Sequence, residues 1–197
     1  MSEFERHVGL FGGSFNPPHI CHVLASRHVV DRGMVDSVWW LPVHRHAFAK
    51  DSGLAPWEDR LAMARGVAAQ EPGIEVKEIE RELPAPSYTF DTVAALRAEH
   101  PTTRFSWIIG TDILASIHLW HRWEELHQVL EFLVIGRGRE KGELPAQGQF
   151  SRVDLTLPDL SSSALRSDLA AGRFARVRKA VPPSVATYLA EHPSLYR

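Results

Sequence analysis

Apolar and polar residues follow two patterns along this chain, one typical of strands and one typical of helices. Short, nearly continuous apolar runs predict strands at 7–11 (HVGLF), 37–43 (SVWWLPV), 104–110 (RFSWIIG), 131–136 (EFLVIG) and 153–157 (VDLTL). The stretch 74–80 (IEVKEIE) alternates apolar and charged residues, which predicts a half-exposed strand. Trp39 and Trp40 are neighbours in one of these runs, so we expect them to fill the two faces of their strand.

Helical spacing fills the segments between the strands. Helices are predicted from His19 to Arg32-Gly33, from Pro56 to about Gln70 and from Thr89 to about Glu99, and a helix-like segment from Ile113 to Leu126. In that segment we expect Trp123 and Leu126 to pack inward and His118, His121 and His127 to be solvated. Closing helices are predicted in LSSSALRSDLAAG, with Ser161 as cap and Gly172 as stop, and in PPSVATYLAEH.

Strands that alternate with crossover helices predict an α/β fold. We expect a Rossmann-like, doubly wound parallel sheet with helices on both faces, a small C-terminal helical segment, and one domain over 1–197. Ligands bind such sheets at the carboxyl ends of the strands. The turn at Gly12-Gly13, the Gly-Thr-Asp turn at 110 and the loop after Val43 should therefore meet at one crevice.

The stretch GLFGGSFNPPHICH carries the first chemical signal. Glycines after a strand let backbone N–H groups approach an anion, and the next helix adds its N-terminal donors. Gly12-Gly13 alone fits a plain structural turn equally well. His19 and His22, however, are three residues apart at a helix start, so both imidazoles should face whatever the turn holds. The combination points to a phosphoryl group.

A second anion signal lies near the other end of the chain. Ser161, Ser162 and Ser163 open a helix, and Arg166 offers a planar guanidinium one turn later. An ordinary serine cap beside a solvent-facing arginine would explain this segment if it stood alone.

Composition narrows the classes of partner. The 197 residues include 22 Lys and Arg against 24 Asp and Glu, which leaves no global positive field for nucleic acid or anionic lipid. Cys21 is the single cysteine, which excludes an intramolecular disulfide. No run approaches the ~18 apolar residues that span a bilayer, and the amino end lacks the pattern of a secretory signal. We therefore expect a cytoplasmic protein.

Taken together, these motifs resemble the nucleotidylyltransferase superfamily, and more narrowly the bacterial nicotinate-nucleotide adenylyltransferases. The resemblance rests on GGSFNPPHICH with LSSSALR, on RELPAPSYTFDTV at 81–93, WIIGTD at 107–112, Trp120 and the tail VPPSVATYLAEHPSLYR. It covers nearly the whole chain. It implies an enzyme that joins ATP and nicotinate mononucleotide into a dinucleotide with release of pyrophosphate, Mg²⁺ being carried on the ATP phosphates. Oligomeric state does not follow from it.

The resemblance also implies residue roles. The residues implied to act on the reacting phosphates are His19, His22 and Arg166. Those implied to bind ATP are Gly12, Gly13, Ser14, Phe15, Gly110, Asp112, Arg137, Ser162 and Ser163. Those implied to bind the mononucleotide are Ser87, Tyr88, Thr89 and Trp120, with His46 and Lys50 as basic candidates in the 44–50 loop. No protein metal ligand is implied.

The chain departs from the family pattern in several places. Cys21 stands for the glycine between the two histidines, Asn16 for a frequent aspartate and Gly138 for a proline after Arg137. The loop HRHAFAK lacks the usual Pro-Pro-His-Lys form, which leaves open which basic residue meets substrate phosphate.

Other functions stay open on the sequence. A non-catalytic nucleotide-binding module would keep the glycine turn but need neither the histidines nor the Ser-Arg helix. A zinc hydrolase would use His19, His22, His44 and His46, although a carboxylate or cysteine with ligand spacing is lacking. Within the family, nicotinamide mononucleotide and phosphopantetheine are the alternative substrates.

Overall fold

The computed structural model of the chain describes residues 4–44, 53–137 and 142–196. Within these ranges, six strands form one all-parallel sheet in the order β3-β2-β1-β4-β5-β6. The strands are β1 Arg6–Gly13, β2 Ser37–Pro42, β3 Ile74–Val76, β4 Thr103–Gly110, β5 Glu131–Arg137 and β6 Gln149–Leu157. The predicted doubly wound α/β fold is confirmed.

Helices connect the strands and follow the last one. They are α1 Ile20–Asp31, α2 Trp57–Ala68, α3 Ile79–Glu82, α4 Thr89–Glu99, a 3₁₀ helix Thr111–Leu119, α5 Trp123–Val129, α6 Ser162–Ala170, α7 Phe174–Val177 and α8 Pro183–Glu191. Ser161 caps α6 as expected, its hydroxyl accepting from the Ala164 N–H at 3.2 Å. Across the described ranges, no helix has both the length and the apolar character to cross a membrane.

Strand β1 lies at the centre of the sheet, with β2 on one side and β4 on the other. The order of the strands reverses at this point, so the connections leave β1 and β4 in opposite directions and open a crevice at their carboxyl ends. The Gly12-Gly13 pair forms the end of β1, with Gly13 opposite Pro42 of β2. Gly110 ends β4 at the same edge.

The two faces of the sheet bury separate apolar cores. Trp40 packs on the face covered by α1, α2, α6 and α8, and Trp39 on the face covered by α4, the 3₁₀ helix and α5. The two rings are 0% and 2% exposed, which confirms that they fill opposite faces of β2. Their alternation follows from the two-residue period of a strand.

The element boundaries differ from expectation in three places. Strand β3 ends at Val76, and residues 79–82 form α3. Glu80 in α3 is buried and interacts with Ser87 and the backbone of His44, so the alternation of apolar and charged residues does not continue as a strand. The predicted helix over 113–126 is broken at Trp120, and Arg122 adopts a left-handed backbone with φ 54° before α5 starts. The short helix α7 carried no sequence signal.

The histidines of the 118–127 segment are only partly as expected. His118 and His121 are exposed, whereas the His127 side chain is 13% exposed and its ring contacts Trp123 with ring centroids 5.2 Å apart. Trp123 and Leu126 are buried, as their spacing predicts.

Candidate active site

An open crevice of about 490 Å³ lies at the carboxyl ends of β1, β4 and β5. Its lining brings together residues from both ends of the chain. Among those that the sequence predicts for the site, the lining includes Gly12, Gly13, Ser14, His19, His22, Gly110, Asp112, Trp120, Arg137, Ser162, Ser163 and Arg166. Segments separated by about 150 positions in sequence therefore meet at the point where the strand order reverses.

The two histidines at the start of α1 lie against each other. Their ring centroids are 3.7 Å apart, and the backbone N–H of His19 donates to Nδ1 of His22 at 3.0 Å. Because Nδ1 of His22 accepts this bond, the proton of the neutral ring is on Nε2. His22 can therefore donate from Nε2. Within the described residues, Nδ1 of His19 is buried without a hydrogen-bond partner, as in sites that a ligand completes.

Both imidazoles are neutral at physiological pH in this environment. Burial lowers the pKa of His19 to about 4, and the positive charge of Arg137 acts in the same direction. Burial also holds the pKa of His22 well below its usual value, with further contributions from His19 and Arg137. The pair can therefore offer hydrogen bonds but no positive charge in this environment, and an anion close to the rings would favour their protonation.

The glycine turn is shaped by a tryptophan from the neighbouring strand. A Cβ on Gly12 would lie 2.6 Å from Cζ2 of Trp107, so only glycine lets this ring pack against the end of β1. Phe15 lies on the core side of this turn, and its implied contact with ATP stays a prediction. It has φ 46°, is 1% exposed, and stacks on Trp40 with ring centroids 4.6 Å apart. Phe15 anchors the turn from the core side and is absent from the crevice lining.

Helix α6 is tied to the turn that precedes His19. Arg166 donates from Nη1 to the carbonyl oxygen of Asn16 at 3.0 Å and from Nη2 to the Ser163 hydroxyl at 3.2 Å. The Ser162 hydroxyl donates to the carbonyl oxygen of Pro17 at 3.0 Å. The two predicted anion signals thus face one crevice.

A third group of predicted residues lies where β4 and β5 end. Arg137 donates to Oδ2 of Asp112 and to the carbonyl oxygen of Leu160, both at 2.9 Å. The Asp112 carboxylate folds back over Gly110, occupying the space that a side chain at that position would need. Arg137 therefore links the Gly-Thr-Asp turn to the segment that leads into α6.

The segment 87–89 lies beside the crevice and not in its lining. Tyr88 stacks on His121 with ring centroids 4.2 Å apart, which places the segment next to Trp120, a lining residue. Thr89 is the first residue of α4. The predicted candidates His46 and Lys50 lie outside the described residues, as does Gly138.

Cys21 fits the crevice wall without disturbing the histidines. Its side chain is buried, and its Sγ lies 3.9 Å from the carbonyl oxygen of Pro158. Burial raises the pKa of the thiol, so the group stays protonated and forms a small apolar part of the wall.

The alternative zinc site would use His44 together with His19, His22 and His46. His44 packs edge-on against Trp57. In the described ranges, no group of three or more His, Cys, Asp or Glu side chains is arranged to hold a metal ion.

A buried arginine that the sequence analysis missed organises the loops around the crevice. Arg60 is 2% exposed and donates to the carbonyl oxygens of Ser14, Val43 and Ala55 at 2.9, 2.8 and 3.1 Å. It thereby links the glycine turn to both ends of the 44–55 loop. The available signal was an arginine at an inward-facing position of the predicted helix. Since a charge is buried only when it is paired, such a position predicts hydrogen-bond partners for the guanidinium.

Asn16 and Glu80 are further buried polar groups at this edge. Asn16 is 0% exposed and bonds to the 53–55 segment, with Nδ2 donating to the Gly53 carbonyl and Oδ1 accepting from the Ala55 N–H, both at 3.0 Å. The asparagine that stands for the frequent aspartate thus binds the backbone of the 53–55 segment with its side chain. Burial raises the pKa of Glu80 to about 7, against the opposing effects of Ser87, the His44 backbone and Arg60.

The chain is similar to known proteins in sequence and in fold. A family profile described as cytidylyltransferase-like matches residues 10–168. A probable nicotinate-nucleotide adenylyltransferase of Anaeromyxobacter dehalogenans is 40% identical over 98% of this chain and 97% of its own length. A protein of the same description from Exiguobacterium sibiricum is 34% identical over 93% of this chain and 96% of its own length.

The solved structure of Plasmodium falciparum nicotinic acid mononucleotide adenylyltransferase in complex with NaAD superposes with a TM-score of 0.78. It covers 98% of both chains at 20% identity, and therefore supports the fold alone. The sequence matches carry the family assignment, because they extend over nearly the full length at 32–40% identity. The chain belongs to the nicotinate-nucleotide adenylyltransferase family of cytidylyltransferase-like proteins.

Proposed function

We infer that this chain transfers the adenylyl group of ATP to nicotinate mononucleotide, giving nicotinate adenine dinucleotide and pyrophosphate in NAD biosynthesis. The observation that carries this inference is the crevice in which the His19–His22 pair faces the Ser-Arg start of α6. A phosphate oxygen of the mononucleotide attacks the α-phosphorus of ATP while the bond to the bridging oxygen of the β-phosphate breaks. No protein nucleophile takes part.

Catalysis on this proposal is positioning and charge stabilisation. His22 donates from Nε2 to an oxygen of the α-phosphate, and His19 binds beside it. The glycine turn supplies N–H donors from Gly12 to Ser14, while Ser162, Ser163 and Arg166 hold the β- and γ-phosphates. As negative charge builds on the pyrophosphate, the guanidinium of Arg166 stabilises it.

The crevice suits a divalent cation that arrives on the nucleotide. Its lining offers imidazoles and hydroxyls, and the carboxylate of Asp112 in the described lining is already paired with Arg137. We propose that Mg²⁺ is held by ATP phosphate oxygens and water, the ligands that it prefers. When bound, it neutralises phosphate charge.

Adenosine and mononucleotide would occupy different parts of the crevice. Asp112 would accept from ribose hydroxyls beside Gly110, and its hydrogen bond from Arg137, which fixes the carboxylate, supports this role. Trp120 offers an aromatic face to the pyridine ring. Tyr88 caps α4 without a side-chain hydrogen bond to the first turn, so backbone donors at Thr89 remain for the nicotinate carboxylate.

The test is a substrate comparison. The purified chain is given ATP and Mg²⁺ with nicotinate mononucleotide, nicotinamide mononucleotide or phosphopantetheine, and pyrophosphate release and the joined product are measured. We expect the highest kcat/KM with nicotinate mononucleotide. His22→Ala, assayed in parallel, checks that release belongs to this site. If none of the three acceptors gives pyrophosphate above the variant, the proposed function is wrong.

A further inference from the structure

The tail after α8 reaches back to the turn that precedes the histidines. The hydroxyl of Tyr196 donates to Oδ1 of Asn16 at 2.8 Å, a contact between residues 180 positions apart. Leu195 and Tyr196 pack against the core on the face of α1 and α2. Burial raises the pKa of the Tyr196 phenol, so its proton stays available for the bond.

Asn16 is the point at which several segments of the crevice wall meet. Its Oδ1 accepts from both Tyr196 and the Ala55 N–H, its Nδ2 donates to the Gly53 carbonyl, and its own carbonyl oxygen accepts from Arg166. The hydrogen-bonding groups of its side chain and its carbonyl are thus engaged while the residue is fully buried. A shift of Asn16 would move Arg166 and the turn before His19 together.

We propose that Tyr196 is a positioning residue for the phosphate site and acts through Asn16. This inference rests on the proposed function, because it concerns the placement of the groups that stabilise the departing pyrophosphate. Tyr196 touches no reacting atom. Its bond to the Asn16 side chain holds this residue in place, and with it the backbone carbonyl oxygen that accepts from Arg166. Small misplacements of such groups lower turnover strongly.

The chain offers a matched control in α8, the helix that precedes the tail. Like Tyr196, Tyr188 donates a hydrogen bond from its hydroxyl, here to the carboxylate oxygen Oδ1 of Asp59 at 2.7 Å. Both tyrosines pack against the same core face. Asp59 is outside the crevice lining. Tyr188→Phe and Tyr196→Phe each remove one hydroxyl from the same part of the molecule, and they differ in whether the partner reaches the phosphate site.

The experiment compares both variants with the unsubstituted chain. We expect Tyr196→Phe to lower kcat on the order of 10-fold with the KM for nicotinate mononucleotide unchanged, and Tyr188→Phe to lower only the melting temperature. In an Asn16→Ala background, Tyr196→Phe should cause no further loss of kcat, because coupled residues do not act additively. An unchanged kcat in Tyr196→Phe, or equal losses in both tyrosine variants, would overturn the proposal.

A second readout separates this proposal from the proposed function. This readout is the affinity for a non-hydrolysable ATP analogue with Mg²⁺, measured by calorimetry. On this proposal the affinity depends on Arg166 and the glycine turn, and it does not depend on which acceptor substrate the chain uses. We expect weaker binding in Tyr196→Phe and unchanged binding in Tyr188→Phe. If the unsubstituted chain released no pyrophosphate with any acceptor, the proposed function would fail while this binding comparison still decides the role of Tyr196.

Discussion

Arg166 and Asn16 are joined by a hydrogen bond of 3.0 Å from the guanidinium to the backbone carbonyl oxygen, across 150 positions of sequence. The bond fixes the first turns of α6 beside the loop that leads to His19. Repulsion between two anionic reactants is overcome only when positive and hydrogen-bonding groups face them from both sides. On the proposed function, this contact brings such groups together from the two ends of the chain.

Replacing Arg166 by lysine should reduce kcat/KM for ATP by roughly 10- to 100-fold, the scale of a lost charged hydrogen bond. Lysine keeps the charge but cannot hold the Asn16 carbonyl and a phosphate with one planar group. Steady-state kinetics with varied ATP measure the effect. A kcat/KM for ATP equal to that of the unsubstituted enzyme would remove Arg166 from the phosphate site.

His22→Ala should lower kcat by ~100-fold or more, the scale of losing one donor to a developing charge. His28→Ala, in the last turn of the same helix, serves as control because His28 is outside the crevice lining. Turnover is measured with both substrates saturating, and circular dichroism checks that the fold is kept. Turnover that is lowered equally in both variants would contradict a special role for His22.

Trp120→Ala should raise the KM for nicotinate mononucleotide more than the KM for ATP, because the pyridine ring loses its aromatic face. Trp120→Phe keeps an aromatic ring and should recover most of the affinity. Both constants are obtained from initial rates with each substrate varied in turn. Equal increases in the two KM values would show that Trp120 supports the crevice as a whole.

Glu80→Gln should change how stability depends on pH. With a pKa raised from 4.5 to about 7, the folded chain keeps a proton that the unfolded chain releases within this window. The free energy of unfolding therefore falls as pH rises from 4.5 to 7, by at most about 3 kcal/mol, and this contribution is level above pH 7. Glutamine does not titrate and removes this part of the decrease.

The free energy of unfolding of the unsubstituted chain and of Glu80→Gln is measured in urea at about pH 5 and about pH 8. The difference between the two proteins in this pH dependence isolates Glu80 from other titrating groups such as His19. Glu58→Gln, at an exposed position of α2, is the matched control and should follow the unsubstituted chain. A Glu80→Gln variant with the same pH dependence as the unsubstituted chain would show that this carboxyl titrates normally.

The sequence predicts turns, caps and the positions of strand ends where local residue chemistry and sheet topology point to the same structure. The glycine turn, the histidine pair and the Ser161 cap are encoded within a few residues each, and parallel strands necessarily bring their carboxyl ends to one edge. The expected meeting of the Gly12-Gly13 turn with the Gly-Thr-Asp turn at 110 follows from that rule. The roles of the individual site residues, the single-domain organisation, and the parts of His46 and Lys50 stay predictions.

Polar contacts between residues far apart in sequence could not be predicted in the same way. Arg60, Asn16 and Tyr196 meet partners in loops far away in sequence, and their own neighbours give no periodic signal. The predicted strand through Glu80 is wrong, because its alternating surroundings favour a strand whereas burial beside Arg60 and Ser87 favours the turn of α3. Tertiary context overrides local pattern at such positions.

Several hydrogen bonds from arginines at this crevice end on main-chain oxygens, among them those of Arg60 to Val43 and of Arg137 to Leu160. Every amino acid supplies the same oxygen, so evolution can exchange the residue type at positions 43 and 160 without breaking either bond. The arginines have no such freedom. Loop geometry can thereby be inherited by descendants whose loop sequences have diverged beyond alignment.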